Sequence, residues 1–261
     1  MERPEYVPPA WLTAPATPGR ARPLSVPVSS LDATIDVTLW SPDDDSDSVP
    51  LPLVVVHDGP EYDERAALTH YLATGITGGW LPRLRAALLS PGVDRNHWYS
   101  ANPDYTDAVS SAVVPALADT VASTVRVGMG TSLGGLATLH IQRTHAEVFD
   151  ALYLQSGSFF RPSFDAHERR RLSQYGRIVR FVSDVLQTTA ARPVRTVLTC
   201  GAAEENVHNN RVMAGALRAQ GYDATLHETP GGHDFTAWRD AFDPHLTRLL
   251  QERCAHETRR G

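Results

Sequence analysis

Lysine is missing from this 261-residue chain; all 24 basic residues are arginines, set against 30 acidic residues for a formal net charge of −6. No basic run occurs and the balance is acidic, which argues against a nucleic-acid surface. A local arginine cluster holding an anionic small molecule stays compatible with it. Cysteine is nearly missing too. Cys200 and Cys254 are the two present, too few for a disulfide framework and without the C-x-x-C spacing of a metal site. Reduced thiols suit a cytoplasmic protein. No apolar run approaches the roughly 18 residues of a membrane span, and Met1-Glu2-Arg3-Pro4 does not open a basic-then-apolar secretory signal. The expectation is a soluble cytoplasmic protein whose partner is a small molecule, with neither nucleic acid nor membrane involved.

What is present fits a sizeable core: 42% of residues are apolar and 21% charged, the ordinary balance of a globular protein. Residues 1–20, rich in Pro and Ala, read as an extended segment, and 21–261 as a single domain without linker or repeat. Pro23 to Trp40 alternates in β fashion around a turn at Ser29-Ser30, predicting an antiparallel N-terminal hairpin. Leu51 to Val56 is continuously apolar, as in a strand buried on both faces. Beyond it, short apolar strands (84–89, 125–129, 149–154, 196–199, 224–227) alternate with helical stretches (64–73, 104–122, 206–219, 235–252). Residues 161–192 are charged and helical with no strand, and read as a small insertion over the site. Alternating strands and helices predict an α/β fold, a mainly parallel central sheet with helices on both faces. Ligands bind such sheets where the strands end at their carboxyl side.

One of those strand ends carries Gly130-Thr131-Ser132-Leu133-Gly134, a G-x-S-x-G pattern between a strand and a helix. A nucleophile on so sharp a turn needs neighbours without side chains, and the N–H groups opening the next helix face a developing oxyanion. Ser132 is the candidate nucleophile. A serine hydroxyl needs a base to take its proton and a carboxylate to orient that base, in the chain order Ser, acid, His for α/β-hydrolases. His233, in a Gly-rich loop between the last strand and the closing helix, is the candidate base. Glu204 precedes it by one helix and one strand and is the preferred acid. Glu205 competes, and Asp184 is a third option within the helical insertion. Leu133 N–H is one expected oxyanion donor; the other comes from the loop after the Leu51 strand.

His57-Asp58-Gly59, Arg95 near Tyr99, Gly130 to Gly135, Ser156-Gly157-Ser158-Phe159-Phe160, Gly201-x-x-Glu204 and Gly231-Gly232-His233-Asp234-x-x-x-Trp238 together resemble the enterochelin esterase-like family. This is the esterase-D-type branch of the α/β-hydrolases, and the likeness covers roughly residues 20–252. The resemblance implies an α/β-hydrolase fold and a serine carboxylic-ester hydrolase using Ser132, His233 and Glu204 with no cofactor and no metal. It implies that the Asp58-Gly59 loop helps form the oxyanion hole. Pro60 departs from the family pattern because it has no N–H, which leaves Gly59, Glu61 or a side chain as second donor. Asn96-His97-Trp98 also departs, where siderophore-hydrolysing members often carry a glutamate. A siderophore-type or other aryl or acyl ester is the expected substrate, bound by Arg95, Tyr62, Trp98, Tyr99, Phe159, Phe160 and Trp238. An acyltransferase on the same triad and a catalytically weak binding protein of this fold are the alternatives.

Overall fold

β3 (Leu51–His57) shows how the chain builds its core, because every residue in it is buried. Successive side chains point to opposite faces of a strand. Leu53 and Val55 accordingly join one hydrophobic cluster and Val54 and Val56 the other. Only a sheet covered on both faces can use such a strand. The computed structural model describes residues 6–43 and 46–255; the side chain of Cys254 lies outside the described residues.

The sheet has eight strands in the order β1-β2-β4-β3-β5-β6-β7-β8. β1 (Arg20–Val28) and β2 (Ala33–Ser41) form the antiparallel hairpin, and β2 also pairs antiparallel with β4 (Arg85–Leu89). From β4 onward all pairing is parallel, through β3, β5 (Ser123–Thr131), β6 (Ala151–Gln155), β7 (Arg195–Gly201) and β8 (Ala224–Thr229). β1 carries Pro23 and Pro27 within its ladder, tolerable because it is an edge strand with one side unpaired.

Helices cover both faces. α1 (Gly59–Ala66) and α2 (Leu68–Thr77) pack on the Val54 and Val56 side together with α9 (Phe235–Asp240) and α10 (Thr247–Ala255). The other face takes α3 (Arg95–Tyr99), α4 (Pro103–Ala108), α5 (Val114–Thr120), α6 (Leu133–Thr144), α7 (Tyr175–Gln187) and α8 (Val207–Ala219). Three helices predicted as continuous are divided. The first breaks at Ala67, whose φ is +51°. The second holds a wider π-type turn at Val109–Val113 between α4 and α5. The closing helix is interrupted at Asp243 (φ −103°, ψ 124°), because the residue before a proline is pushed out of helical conformation. Within 1–20, Ala10–Thr13 forms a single 3₁₀ turn that buries Trp11. No helix among the described residues is long and apolar enough to cross a membrane.

Candidate active site

The carboxyl ends of β3, β5 and β6 each turn on a non-glycine residue with positive φ: Asp58 (+56°), Ser132 (+55°) and Ser156 (+49°). Side-chain-bearing residues reach this region at an energetic cost, so all three turns are held by their surroundings. At Ser132 the holding is visible. Its N–H donates to Gln155 C=O at 2.9 Å, and its C=O accepts from Leu136 N–H at 3.2 Å and Ser158 N–H at 3.0 Å. Gly130 is required beneath it, because a Cβ there would stand 2.4 Å from Gly134 O.

Ser132 Oγ lies 3.1 Å from His233 Nε2, and His233 Nδ1 lies 2.8 Å from Glu204 Oε2. The three residues come from the ends of β5, β8 and β7. His233 follows Gly231 (φ +110°) in the loop after β8. Asp234 ends that loop by capping α9, its Oδ1 accepting from Thr236 N–H at 2.9 Å and Ala237 N–H at 3.0 Å. The ring of Trp238 meets His233 edge-on with centroids 5.0 Å apart, which fixes the imidazole from behind.

Glu204 is fully satisfied. Its Oε1 accepts from Gly201 N–H and Ser156 Oγ–H, each at 2.7 Å, while Oε2 faces the imidazole. Trp238 Nε1–H donates to Ser156 Oγ at 2.9 Å, so the serine's own hydrogen is directed to the carboxylate. Burial pushes the Glu204 carboxyl up, but the hydrogen bonds from His233, Ser156 and Gly201 outweigh it and hold it below its ordinary value. A carboxylate with three donors stays ionised. The Glu204 side chain is 2% exposed, whereas that of Glu205 is 90% exposed, its carboxylate 3.7 Å from His167 Nε2. The structure therefore brings Glu204, and not Glu205, to His233; Asp184 lies on α7 and is no part of the cluster. Cys200, just before this turn, is buried with its thiol pushed up to about 12 by burial and then by the Glu204 charge. It stays protonated.

The serine and histidine open into a cleft of about 530 Å³, within the usual range for small-molecule sites. Its apolar wall is Leu133, Phe160 and Leu172, and the segment between β6 and β7 supplies Asp165, His167, Glu168 and Arg171. Most of the expected substrate contacts lie elsewhere. Tyr62, Trp98, Tyr99, Phe159 and Trp238 are all buried in the two cores, and none lines this cleft. The reason is local: an aromatic ring on the inward face of a short helix, or of a loop in the case of Phe159, gains more from packing than from exposure. Tyr62 O–H donates to Gln155 Oε1 at 2.8 Å, and the Tyr99 hydroxyl oxygen accepts from Asp58 N–H at 3.2 Å. Trp98 stacks on Tyr105. Arg95 is committed as well, donating Nε–H and Nη2–H to the two Asp58 carboxylate oxygens at 2.6 Å each. Phe160 is the one expected aromatic that faces the cleft.

Of the expected oxyanion donors, Leu133 lines the cleft. Gly59 and Glu61 stand in the first turn of α1, where N–H groups have no intrahelical acceptor, and they do not line it. His57 lies beneath this junction. Thr138 Oγ–H donates to Gly134 C=O at 2.8 Å, so the His57 ring donates Nδ1–H to Thr138 Oγ at 3.0 Å. The Ser156 to Phe160 motif carries the resemblance in the sequence, and nothing in the sequence alone assigns a role to its hydroxyls. The signal available is a pair of hydroxyls two residues apart, Ser156 and Ser158, at a strand's carboxyl end.

Comparison with known proteins gives the family and the fold. The model of the Esterase family, described as "Putative esterase", matches residues 28–249. No curated protein matches the chain by sequence. Among solved structures, enterobactin esterase from Shigella flexneri superposes with a TM-score of 0.78 at 21% identity, covering 97% of this chain and 65% of that one. The chain thus spans just under two thirds of that relative's length. A ferulic acid esterase gives 0.73 at 17% identity, covering 89% of this chain and 98% of that one. S-formylglutathione hydrolase from Staphylococcus aureus gives 0.62 at 15% identity, with 91% and 98% covered. At these identities the likeness establishes the α/β fold.

Proposed function

The chain belongs to the esterase family, and from that premise we propose that it is a serine carboxylic-ester hydrolase working through an acyl-enzyme without a cofactor. The observation that carries the reading is the hydrogen-bonded line from Glu204 through His233 to Ser132, at 2.8 and 3.1 Å. Glu204 holds Nδ1–H, which leaves Nε2 bare to take the serine proton. Ser132 Oγ then bonds the ester carbon, the oxyanion meets Leu133 N–H at the start of α6, and His233 returns the proton to the departing alcohol. Water repeats the sequence to release the acid.

Between the ester classes the sequence raised, charge in the cleft favours a neutral aryl or acyl ester over a polyanionic ferric siderophore. Four carboxylates (Asp165, Glu168, Glu204, Glu205) line it against one guanidinium, Arg171. In a solvated cleft each such charge acts on an ionic ligand with up to about 1 kcal/mol at contact distance. The apolar patch of Phe160, Leu172 and Leu133 suits the acyl or aryl body. The test is a hydrolysis screen over p-nitrophenyl, feruloyl and ferric-siderophore esters, run with Ser132→Ala. The expected result is hydrolysis of neutral esters, covalent labelling of Ser132 by a fluorophosphonate, and loss of both in Ser132→Ala. Hydrolysis by Ser132→Ala at the wild-type rate would overturn the proposal.

A further inference from the structure

Two hydroxyls meet at the floor of the cleft, because Ser158 Oγ lies 3.2 Å from Ser132 Oγ. Ser158 is 3% exposed and its loop is pinned on all sides. Its N–H donates to Ser132 C=O at 3.0 Å. The preceding Gly157 donates its N–H to Asn210 Oδ1 at 3.1 Å and accepts Asn210 Nδ2–H at 3.0 Å. The neighbouring Ser156 C=O accepts Asn206 Nδ2–H at 2.8 Å. A hydroxyl so placed is aimed at the nucleophile.

Counting protons fixes its direction. His233 gives Nδ1–H to Glu204, so Ser132 gives its single hydrogen to Nε2, and the hydrogen between the two serines belongs to Ser158. Topology fixes its side. β6 lies next to β5 on the flank that continues to β7 and β8, which carry Glu204 and His233; β3, with the Gly59 loop, lies on the other flank. Ser158 therefore stands with the base, where the attacking water and the departing oxygen must pass, and away from the loop of the expected oxyanion donors.

We propose that Ser158 is a further catalytic residue, whose hydroxyl orients the hydrolytic water on the acyl-enzyme and assists release of Ser132. This rests on the serine-esterase reading. In the acyl-enzyme Ser132 Oγ is an ester oxygen without a hydrogen, and a poor acceptor. The water that attacks gives one hydrogen to His233 Nε2, and Ser158 Oγ accepts the other. As the new C–O bond forms and the C–Oγ bond breaks, the proton held by His233 passes to Ser132 Oγ. Ser158 O–H meanwhile donates to that departing oxygen while it carries negative charge. Atoms balance as ester plus water giving acid plus alcohol.

The test compares Ser158→Ala and Ser158→Thr with the wild type on p-nitrophenyl acetate in stopped flow, with thermal unfolding as a control. In Ser158→Ala, kcat should fall about tenfold, the scale of losing one hydrogen bond at a reacting atom. KM should fall with it, so that kcat/KM moves far less, and a burst of p-nitrophenol should appear or grow as acyl-enzyme accumulates. Hydroxylamine, which attacks without needing an oriented water, should restore turnover, and Ser158→Thr should retain most of the wild-type rate. An unchanged kcat in folded Ser158→Ala, or equal losses in kcat and kcat/KM without a burst, would overturn the role. Fluorophosphonate labelling of the wild type separates the two levels: without labelling of Ser132 the esterase reading itself fails, whatever Ser158 does.

Discussion

Replacing Glu204 by Gln exchanges one carboxylate oxygen for an NH₂ group and should nearly silence the site. The Oε1 position accepts from Gly201 N–H and from Ser156 Oγ–H. The first is a fixed backbone donor, and the second is directed there because Ser156 already accepts Trp238 Nε1–H. A glutamine amide must therefore place its oxygen at Oε1, since its NH₂ there would confront two donors. Its NH₂ then faces His233 Nδ1, which has to become an acceptor. The imidazole hydrogen moves to Nε2, the atom that should take the Ser132 proton, and the base is lost without any change of shape. A serine triad locked in the wrong tautomer loses roughly 10³ to 10⁴ in rate, or about 4 to 5.5 kcal/mol of transition-state stabilisation at 1.36 kcal/mol per decade. The assay is kcat/KM on p-nitrophenyl acetate for Glu204→Gln and Glu205→Gln in parallel. Glu205, whose side chain is 90% exposed, should lose less than about twofold, as surface carboxylates do. A Glu204→Gln protein retaining more than a tenth of wild-type kcat/KM, or a Glu205→Gln protein falling as far, would refute the tautomer argument.

Two further outcomes concern the frame around the site. Arg95→Met should destabilise the fold by about 3 to 5 kcal/mol, because it strands the Asp58 carboxylate, 4% exposed, without its partner. Asp58→Asn should cost less, since Arg95 is 31% exposed and can turn to water; equal losses under about 1 kcal/mol in urea unfolding would show that the pair is not structural. His57 gives the pH dependence. Burial, only partly offset by a hydrogen bond to Met129 and reinforced by the Arg95 charge, lowers its ring from 6.5 to about 4. Between those values the unfolded chain binds the extra proton, so stability is full above the ordinary histidine value and falls as pH drops towards 4. For His57 alone the loss is roughly 3 kcal/mol. Urea midpoints from pH 7.5 to 4 should show this slope reduced in His57→Gln; an unaltered slope would mean that the folded ring takes up its proton over the same pH range as the unfolded chain.

The sheet was legible where burial forces a pattern. β3 is an unbroken apolar run because both its faces are covered, and the β1–β2 hairpin alternates because its outer face is solvated. Helix interruptions at Ala67 and Val109–Val113 were not legible, since a single residue with positive φ or one wider turn leaves apolar periodicity almost intact. Asp243 was a missed proline signal. In the site, Ser132, Glu204 and His233 were legible because their loops follow the carboxyl ends of parallel strands, β5, β7 and β8, along one edge of the sheet. The substrate contacts could not. An aromatic residue near a strand's carboxyl end reads the same whether it turns inward, as Tyr62, Tyr99 and Phe159 do, or faces the cleft, as Phe160 does. Arg95 was misread for a related reason: a local sequence does not reveal that Asp58, 37 residues away, already occupies it.

The three left-handed turns at Asp58, Ser132 and Ser156 also set how this chain can change. Glycine at Ser156 would relieve about 1 to 2 kcal/mol of backbone strain, yet it would leave Trp238 Nε1–H and one Glu204 oxygen short of a partner, at a cost of similar size. A protein carrying that change would fold and accumulate much as before while Glu204, the partner that orients His233, lost one of its three donors. Surveys of abundance and of activity across all substitutions should therefore agree throughout the two cores and part company along this one edge of the sheet. Drift there would go unnoticed by every selection that reads only folding.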